Sequence, residues 1–306
     1  MTTEASADEM GLKIPGLYWQ TPHLNWPIII WFSVVHAVGL LGGLGYLVFI
    51  YCSLPTILLA LGQYFFCHLS IRTGAHSLYS HRAFKAGVVF QSYVVIAFSA
   101  VFQDALIWWA ARHRPHHTYT DKERDPHSIL RGFWWAHMRW MLYKPVMPPA
   151  VLSYRDLVPD LMKNKFIWFQ HKHARLIGVL VGFVAPTLIA SLWGDPIGGF
   201  LVGGFLRLVF QYHGTWYINS VSHSVGPQPN EGNTSRNSPW WLMVPAAILT
   251  VGESVLHGKH HEVPWDFRIG TRWYHIDPGK WLIVACSWVG ITWDLRRAED
   301  PKGVTA

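Results

Sequence analysis

Nine histidines in this chain stand at spacings that can bind metal: His76 and His81; His113, His116 and His117; His223; and His257, His260 and His261. Neutral imidazole is the commonest protein metal ligand and suits iron, zinc and copper. On a helix, residues three or four apart share a face. His113 with His116 or His117, and His257 with His260 or His261, can therefore each offer two or three ring nitrogens from one turn. His76 and His81 are five apart, which suits ligands to two different ions. Asn219 lies four residues before His223, within reach of a metal-bound water. A catalytic zinc would need only three or four such ligands. Nine fit two ions, with room for a bridging or terminal water. No cysteine or carboxylate cluster competes with them, whereas a two-metal hydrolase would normally include carboxylates. The donor set favours iron and oxygen chemistry on an apolar substrate.

The other histidines read differently. His36, His68, His137, His213 and His275 stand alone and are expected in the core or at an interface. His171 and His173 lie in a basic stretch and read as solvated surface, and His127 is left out of the ligand set.

The elements that position these ligands are greasy. Hydrophobic residues make up 51% and charged residues 14%, a balance that points to membrane spans rather than to a soluble domain. Charge-free windows run through 27–71, 86–103, 176–194 and 208–230, and about 20 apolar residues can cross a bilayer as a helix. All ligands of one site must lie on one side of the membrane, so the chain crosses an even number of times between clusters. Pro27 to Cys52 with Leu54 to Ile71, and Leu176 to Gly194 with Pro196 to about Gly214, make two hairpins of spans. The turns Tyr51-Cys52-Ser53-Leu54-Pro55 and Gly194-Asp195-Pro196 carry no Lys or Arg. Val88 to Gln103 must then be interfacial or buried, Trp240 to Val251 is too short to span, and Trp281 to Trp293 is expected to pack on the cap.

The expected fold is all-α: four spans under a cytoplasmic helical cap, in one domain over 1–306, with residues 1–23 and 298–306 as flexible tails. Between Trp109 and Arg175 twelve Lys plus Arg stand against five Asp plus Glu. The positive-inside rule explains this excess better than a nucleic-acid surface does. The acidic start has no basic region followed by an apolar core, so no signal peptide is expected. Cys52, Cys67 and Cys286 are far apart and receive no role.

The clusters lie in segments that resemble the membrane-bound fatty acyl desaturases, specifically the Δ9-type acyl-CoA and acyl-lipid enzymes. These segments are Gly74-AHSLYSHRAFKA, Arg112-HRPHHTYTDKERDPHS, Arg131-GFWWAHMRWML, Gly214-TWYINSVSH and Gly252-ESVLHGKHHEVP, with a weaker echo at Tyr274-HIDPGKWLIVACSWVGITWDLRR. The resemblance spans about 24–297 and implies a dinuclear iron centre. Its ligands would be His76, His81, His113, His116, His117, His223, His257, His260 and His261, with Asn219 acting through water. It also implies O2 as co-substrate and four spans under a cytoplasmic cap. The third box departs from many relatives around Gly258 and Lys259.

No haem-binding His-Pro-Gly-Gly and no GxGxxG fingerprint is present. Electrons are therefore expected from a separate carrier such as ferredoxin or a cytochrome b5-like protein. The resemblance implies insertion of a cis double bond into a saturated acyl chain carried on CoA, acyl carrier protein or lipid. The expected location is that of a multi-pass integral membrane protein, in the cytoplasmic membrane if the source is bacterial, with its active site on the cytoplasmic side. Trp108, Trp109, Thr215 and Trp216 are candidate walls for the acyl tunnel. A hydroxylase, ketolase or acetylenase on the same core is the alternative enzyme, and a metal transporter or haem carrier the non-enzyme alternative.

Overall fold

The computed structural model describes residues 20–50, 53–145 and 154–299. Among the described residues the main helices are α1 (Trp26–Phe49), α2 (Leu54–Ser80), α3 (Val88–Ser99), α4 (Leu106–Thr118), α5 (Lys165–Ser191), α6 (196–220), α7 (Met243–Thr250), α8 (His257–Glu262) and α9 (Pro278–Trp288). Short strands β1 (Gln20–Leu24) and β3 (Tyr143–Pro145) pair antiparallel, as do β2 (Lys85–Ala86) and β4 (Thr292–Trp293). The chain is thus mostly helical, with two small ribbons that the all-α expectation did not include.

Of these helices, α1, α2 and α5 are long and apolar enough to cross a membrane. The expected fourth span is α6, which runs unbroken from 196 to 220. Its first half is apolar, but its second carries Arg207, Gln211, His213 and Asn219, so its composition falls short of a uniform span. Helix α2 continues past the expected end at Ile71 as far as Ser80, in wide π-type turns. Helix α5 begins at Lys165, well before the expected Leu176.

Local chemistry starts the helices. The Ser53 side chain accepts from Thr56 N, with Pro55 in the first turn of α2, and Asn164 accepts from Phe166 N and Ile167 N to start α5. Such caps satisfy donors that the first helical turn leaves free. At the turn before α6, the Asp195 carboxylate accepts from Thr56 Oγ1 at 2.6 Å, Tyr46 OH at 2.7 Å and Gly198 N at 2.9 Å. One acid therefore ties both helical hairpins together at the end remote from the histidines. Part of the other expected turn, Tyr51 and Cys52, lies outside the described residues. Small residues let α1 approach α6: a Cβ on Gly39 would sit 2.7 Å from Val209 Cγ2, and one on Gly43 2.8 Å from Leu206 Cβ.

Arg207 is buried within α6 and bonds only backbone: Ala100 O at 2.9 Å, Gly182 O at 3.2 Å and Gly203 O at 3.2 Å. It pins the end of α3 to α5. Helix α3 is a packed helix, as expected for this stretch, with Phe90, Val94, Val95 and Phe98 buried. It joins Ile71, Ala75, Leu106, Ala110 and Ile283 in the main apolar core.

Two tail expectations change. Residues 20–23 are not free, because β1 holds them against β3. Ala298 is also tied down: its carbonyl accepts from Arg268 Nη2 at 2.9 Å and its N–H donates to Asp266 Oδ2 at 3.2 Å. The remainder of both expected tails, 1–19 and 300–306, lies outside the described residues.

Candidate metal centre

All nine clustered histidines meet at the C-terminal end of α2, and their ring nitrogens form two groups. One contains His76, His81, His113, His117 and His260; the other contains His116, His223, His257 and His261. The divisions follow helix geometry. At about 100° per residue, His113 and His117 point within about 40° of each other, while His116 points about 60° from the first and about 100° from the second. So α4 gives His113 and His117 to the first group and His116 to the second. Helix α8 does the reverse, giving His257 and His261 to the second group and His260 to the first.

The expectation that His76 and His81 serve different ions is corrected. They fall in one group. The reason is local: α2 ends in π-type turns, and the His81 N–H donates to the His76 carbonyl at 3.1 Å, a five-residue step. In such a turn residues five apart stack on one side.

Within the groups, Nε2 atoms crowd together. His76 and His260 are 2.8 Å apart, His81 and His113 2.9 Å, His117 and His260 3.3 Å. In the second group His223 and His257 are 3.1 Å apart, as are His257 and His261. Adjacent ligands at right angles on one ion, each at about 2.1 Å, would stand about 3.0 Å apart. Five lone pairs facing one point repel each other unless a cation sits among them, so the donor set fits a metal ion in each group. The groups are immediate neighbours: His117 of one stacks on His261 of the other at 4.2 Å and 12°.

Behind the rings stand three carboxylates that the sequence reading passed over. Asp125 Oδ2 accepts from His116 Nδ1 at 2.8 Å, and Asp121 Oδ2 from His223 Nδ1 at 2.8 Å. Glu253 Oε1 lies 3.0 Å from His76 Nδ1 without forming a hydrogen bond. Nδ1 of His261 pairs with Thr120 Oγ1 at 3.1 Å. Each such contact fixes the ring so that Nε2 faces inward, the usual support for a metal-ligating histidine. His127, left out of the ligand set, is buried beside His116 with ring centres 4.2 Å apart, and forms with His116 and Asp125 a third, smaller group. The signal available in the sequence was the pair of aspartates four and eight residues after His117.

Burial keeps most of the donors neutral. Burial pushes His81 down to about 3, with the Arg114 and Arg72 cations adding to it. His113, His117, His257, His260 and His261 are held well below the ordinary range, first by burial and then by neighbouring histidines. Burial would lower His116 as well, but the Asp125 carboxylate reverses it and raises the group. Burial lifts Glu253 to about 7, against the pull of Arg72.

Asn219, half-buried, follows α6 toward His223; among the described residues its side chain has no protein hydrogen-bond partner. The four candidate tunnel residues separate. Trp109 stacks on His113 at 4.7 Å and donates to Gln103 Oε1 at 3.3 Å, while Gln103 Nε2 donates to Thr215 Oγ1 at 2.8 Å. Thr215 and Trp109 are thus joined beside the first group through Gln103, which was not on the expected set. Trp108 is half-buried beneath the Arg112 guanidinium. Trp216 is 2% exposed, and its ring contacts are Phe32, His36, His137, Tyr212 and His213. It belongs to an aromatic core. Three of the supposedly lone histidines form a line there: His36 Nε2 lies 3.2 Å from His213 Nε2, and His213 Nδ1 lies 3.1 Å from His137 Nε2.

A fatty acid desaturase family profile matches residues 44–286, which contain all nine histidines. The chain belongs to the fatty acid desaturase family. It is 37% identical over 247 residues to a probable acyl-CoA desaturase of Schizosaccharomyces pombe, covering 80% of this chain and 50% of that protein. It is 38% identical to acyl-CoA desaturase 1 of Saccharomyces cerevisiae, covering 75% of this chain and 44% of that one. The chain spans about half the length of these two yeast relatives. An sn-1 stearoyl-lipid 9-desaturase of Synechocystis is 31% identical, covering 89% of this chain and 80% of its own. For a desaturase-family chain the two histidine groups are the natural place for chemistry, since they hold the largest set of convergent ligand atoms among the described residues.

Proposed function

We propose that this protein is an O2-dependent fatty acyl desaturase that inserts a cis double bond, at the Δ9 position, into a saturated acyl chain. The observation that carries the proposal is the convergence of nine imidazole nitrogens into adjoining groups of five and four. His76, His81, His113, His117 and His260 would hold one iron. His116, His223, His257 and His261 would hold the other, with Asn219 contacting it through water. Bound there, the two ions would supply oxygen activation for removing two hydrogens from neighbouring methylenes. The balanced reaction joins one CH2–CH2 unit, O2, two electrons and two protons to give CH=CH and two waters.

The protein's own part is placement and dryness. Asp125 and Asp121 hold protons on Nδ1 of His116 and His223, so the lone pairs at Nε2 face the second group. Burial keeps the rings neutral and ready to bind. Trp109, tied through Gln103 to Thr215, walls the first group and would place an acyl chain against it. Neighbouring methylenes are chemically alike, so only such rigid walls can select one pair.

Four spans, α1, α2, α5 and α6, would form the stem, with the cap on the cytoplasmic side and the whole chain acting as one domain. The yeast relatives are named for acyl-CoA and the Synechocystis protein for acyl-lipid. The substrate here is an acyl chain on CoA, carrier protein or lipid. Electrons would come from a carrier such as ferredoxin or a cytochrome b5-like protein, and the basic cap suits an acidic one.

The test is expression in a host with a competent electron donor, with fatty-acid profiling and metal analysis of wild type and His117→Ala. The expected result is a new cis monoene, two irons per chain and loss of product in the variant. A product heavier by one oxygen would make the enzyme a hydroxylase. A monoene that survives His117→Ala would overturn the site.

A further inference from the structure

Helix α9 has two faces of unlike surroundings. Its start is capped by Asp277, which accepts from Lys280 N at 2.9 Å. The inner face packs on α2: Ile283 is fully buried, and a Cβ on Gly279 would lie 2.7 Å from Arg72 Cγ. The outer face is Trp281, Ala285 and Trp288, spaced four and three apart as one helical stripe, followed by Val289. Trp281 is 51% exposed, Trp288 81% and Val289 71%. The expectation that this segment simply packs on the cap therefore accounts for one face only.

The stripe does not end with the helix. The chain turns at Gly290, and β4 pairs with β2, setting Lys85 opposite Trp293. The Trp293 ring lies 3.6 Å from where a Cβ on Gly87 would be, and Val88 and Val89, each 61% exposed, follow at the start of α3. Trp281, Trp288, Val289, Trp293, Val88 and Val89 thus line one exposed apolar surface. No charged residue occurs between Trp281 and Trp293. At its edges stand Lys280, Arg296 and Arg297, together with Lys85, which pairs with Asp294 at 3.0 Å. Contiguous exposed apolar surface of this kind marks a contact site.

What covers it follows from where it leads. Helix α3 carries the surface onto α2, a helix fit to cross the membrane: Tyr93 OH donates to the Phe66 carbonyl at 2.9 Å, and the two rings pack at 5.2 Å. Phe66 is itself 40% exposed, on the flank of α2 that would meet lipid. Tryptophan at the border of a span, with Lys and Arg beside it, is the composition of the lipid headgroup boundary.

We propose that the outer face of α9, with Trp293 and the first turn of α3, lies in the headgroup–acyl boundary of the bilayer as an in-plane anchor. The partner is the lipid surface itself. This rests on α2 spanning the membrane and is independent of what reaction the histidines support. Because the inner face of α9 grips Arg72, one turn before His76, the anchor sets the depth at which the first histidine pair sits relative to lipid.

The test uses the full chain in proteoliposomes, with Cys52, Cys67 and Cys286 replaced by Ala. A nitroxide is placed at Ala285→Cys, Trp288→Cys and, as a water-exposed control on the cap, Glu231→Cys. Collision with O2, which partitions into lipid, is compared with collision with a water-soluble nickel chelate. The ratio of O2 to nickel collisions is expected to be several-fold higher at 285 and 288 than at 231. Nickel access at 285 and 288 equal to that at 231 would overturn the proposal. So would low access to both probes, which would mean a protein covers the face. As a second measurement that keeps the native cysteines, shallow brominated lipids should quench wild-type tryptophan emission more than that of the folded Trp281→Phe/Trp288→Phe variant. Equal quenching would also overturn it.

Discussion

Asp125→Asn offers a perturbation that separates the two histidine groups. The Asp125 carboxylate is fully buried, and its Oδ2 accepts from His116 Nδ1 and from Asp121 N, both at 2.8 Å. Its Oδ1 accepts from His127 N at 3.0 Å. An amide has one oxygen and one NH2. If the oxygen faces His116, the NH2 meets the His127 N–H; if it faces His127, the NH2 meets His116 and the Asp121 N–H. Either way a buried donor opposes a donor, a cost of about 1–3 kcal/mol. In the second orientation His116 relieves the clash by moving its proton to Nε2, the atom that faces the second group. Loss of such an orienting partner typically weakens metal binding about 10–100-fold, or roughly 1.4–2.8 kcal/mol.

Of the two large histidine groups, His116 belongs to the group of four, whose other members are His223, His257 and His261. The variant, reconstituted with limiting Fe2+ against a competing chelator, should retain one ion per chain where wild type holds two. Its thermal melt should show a folded protein. Loss of both ions in parallel, or undiminished retention of two, would refute the claim that the carboxylate acts through one group.

Further outcomes follow from other parts of the molecule. Gly252→Ala should abolish activity and lower the melting temperature, because Gly252 has φ +86 and a Cβ there would sit 2.6 Å from Ile276 O, displacing the adjacent Glu253; an unchanged melt would contradict this. Asp195→Ala removes the acceptor for Thr56, Tyr46 and Gly198, so stability in detergent should fall by about 2–3 kcal/mol while metal content stays at two. Metal-free protein should lose stability on acidification. His81 and His127 are held at about 3 in the fold, against about 6.5 unfolded, so between those values only the unfolded chain binds the protons, and stability falls as pH falls from 6.5 toward 3. A melting temperature constant across that window would contradict the burial argument. Gln103→Leu leaves Trp109 Nε1 and Thr215 Oγ1 without their shared partner, and should broaden the double-bond positions seen by mass spectrometry while both metals remain.

Much of this was legible in the residues. Imidazole spacing selected the nine histidines that meet, because i, i+3 and i, i+4 steps have fixed directions on a helix. The parity of crossings also made Val88 to Gln103 an interfacial or buried helix, and the structure buries Phe90, Val94 and Phe98 there while leaving Val88, Val89 and Ile96 exposed. His76 and His81 were misjudged because π-type turns leave no composition signature, and only they bring a five-residue step onto one side. Asp121, Asp125 and Glu253 were missed since a carboxylate in a loop reads as solvent-exposed until the fold buries it. The surroundings of Trp216 are a tertiary effect: its neighbours Phe32, His36 and His137 come from segments far away in the chain. Helix α9 looked like a cap element because its length forbids a span, and sequence length says nothing of a helix lying flat.

The central claim is that nitrogen alone holds two adjoining irons. X-ray absorption at the iron edge of the purified, active protein tests it most directly. The account predicts two irons per chain, a first shell dominated by imidazole nitrogen at about 2.1 Å and no haem signature. One iron per chain, a sulfur-rich shell or a porphyrin spectrum would contradict it.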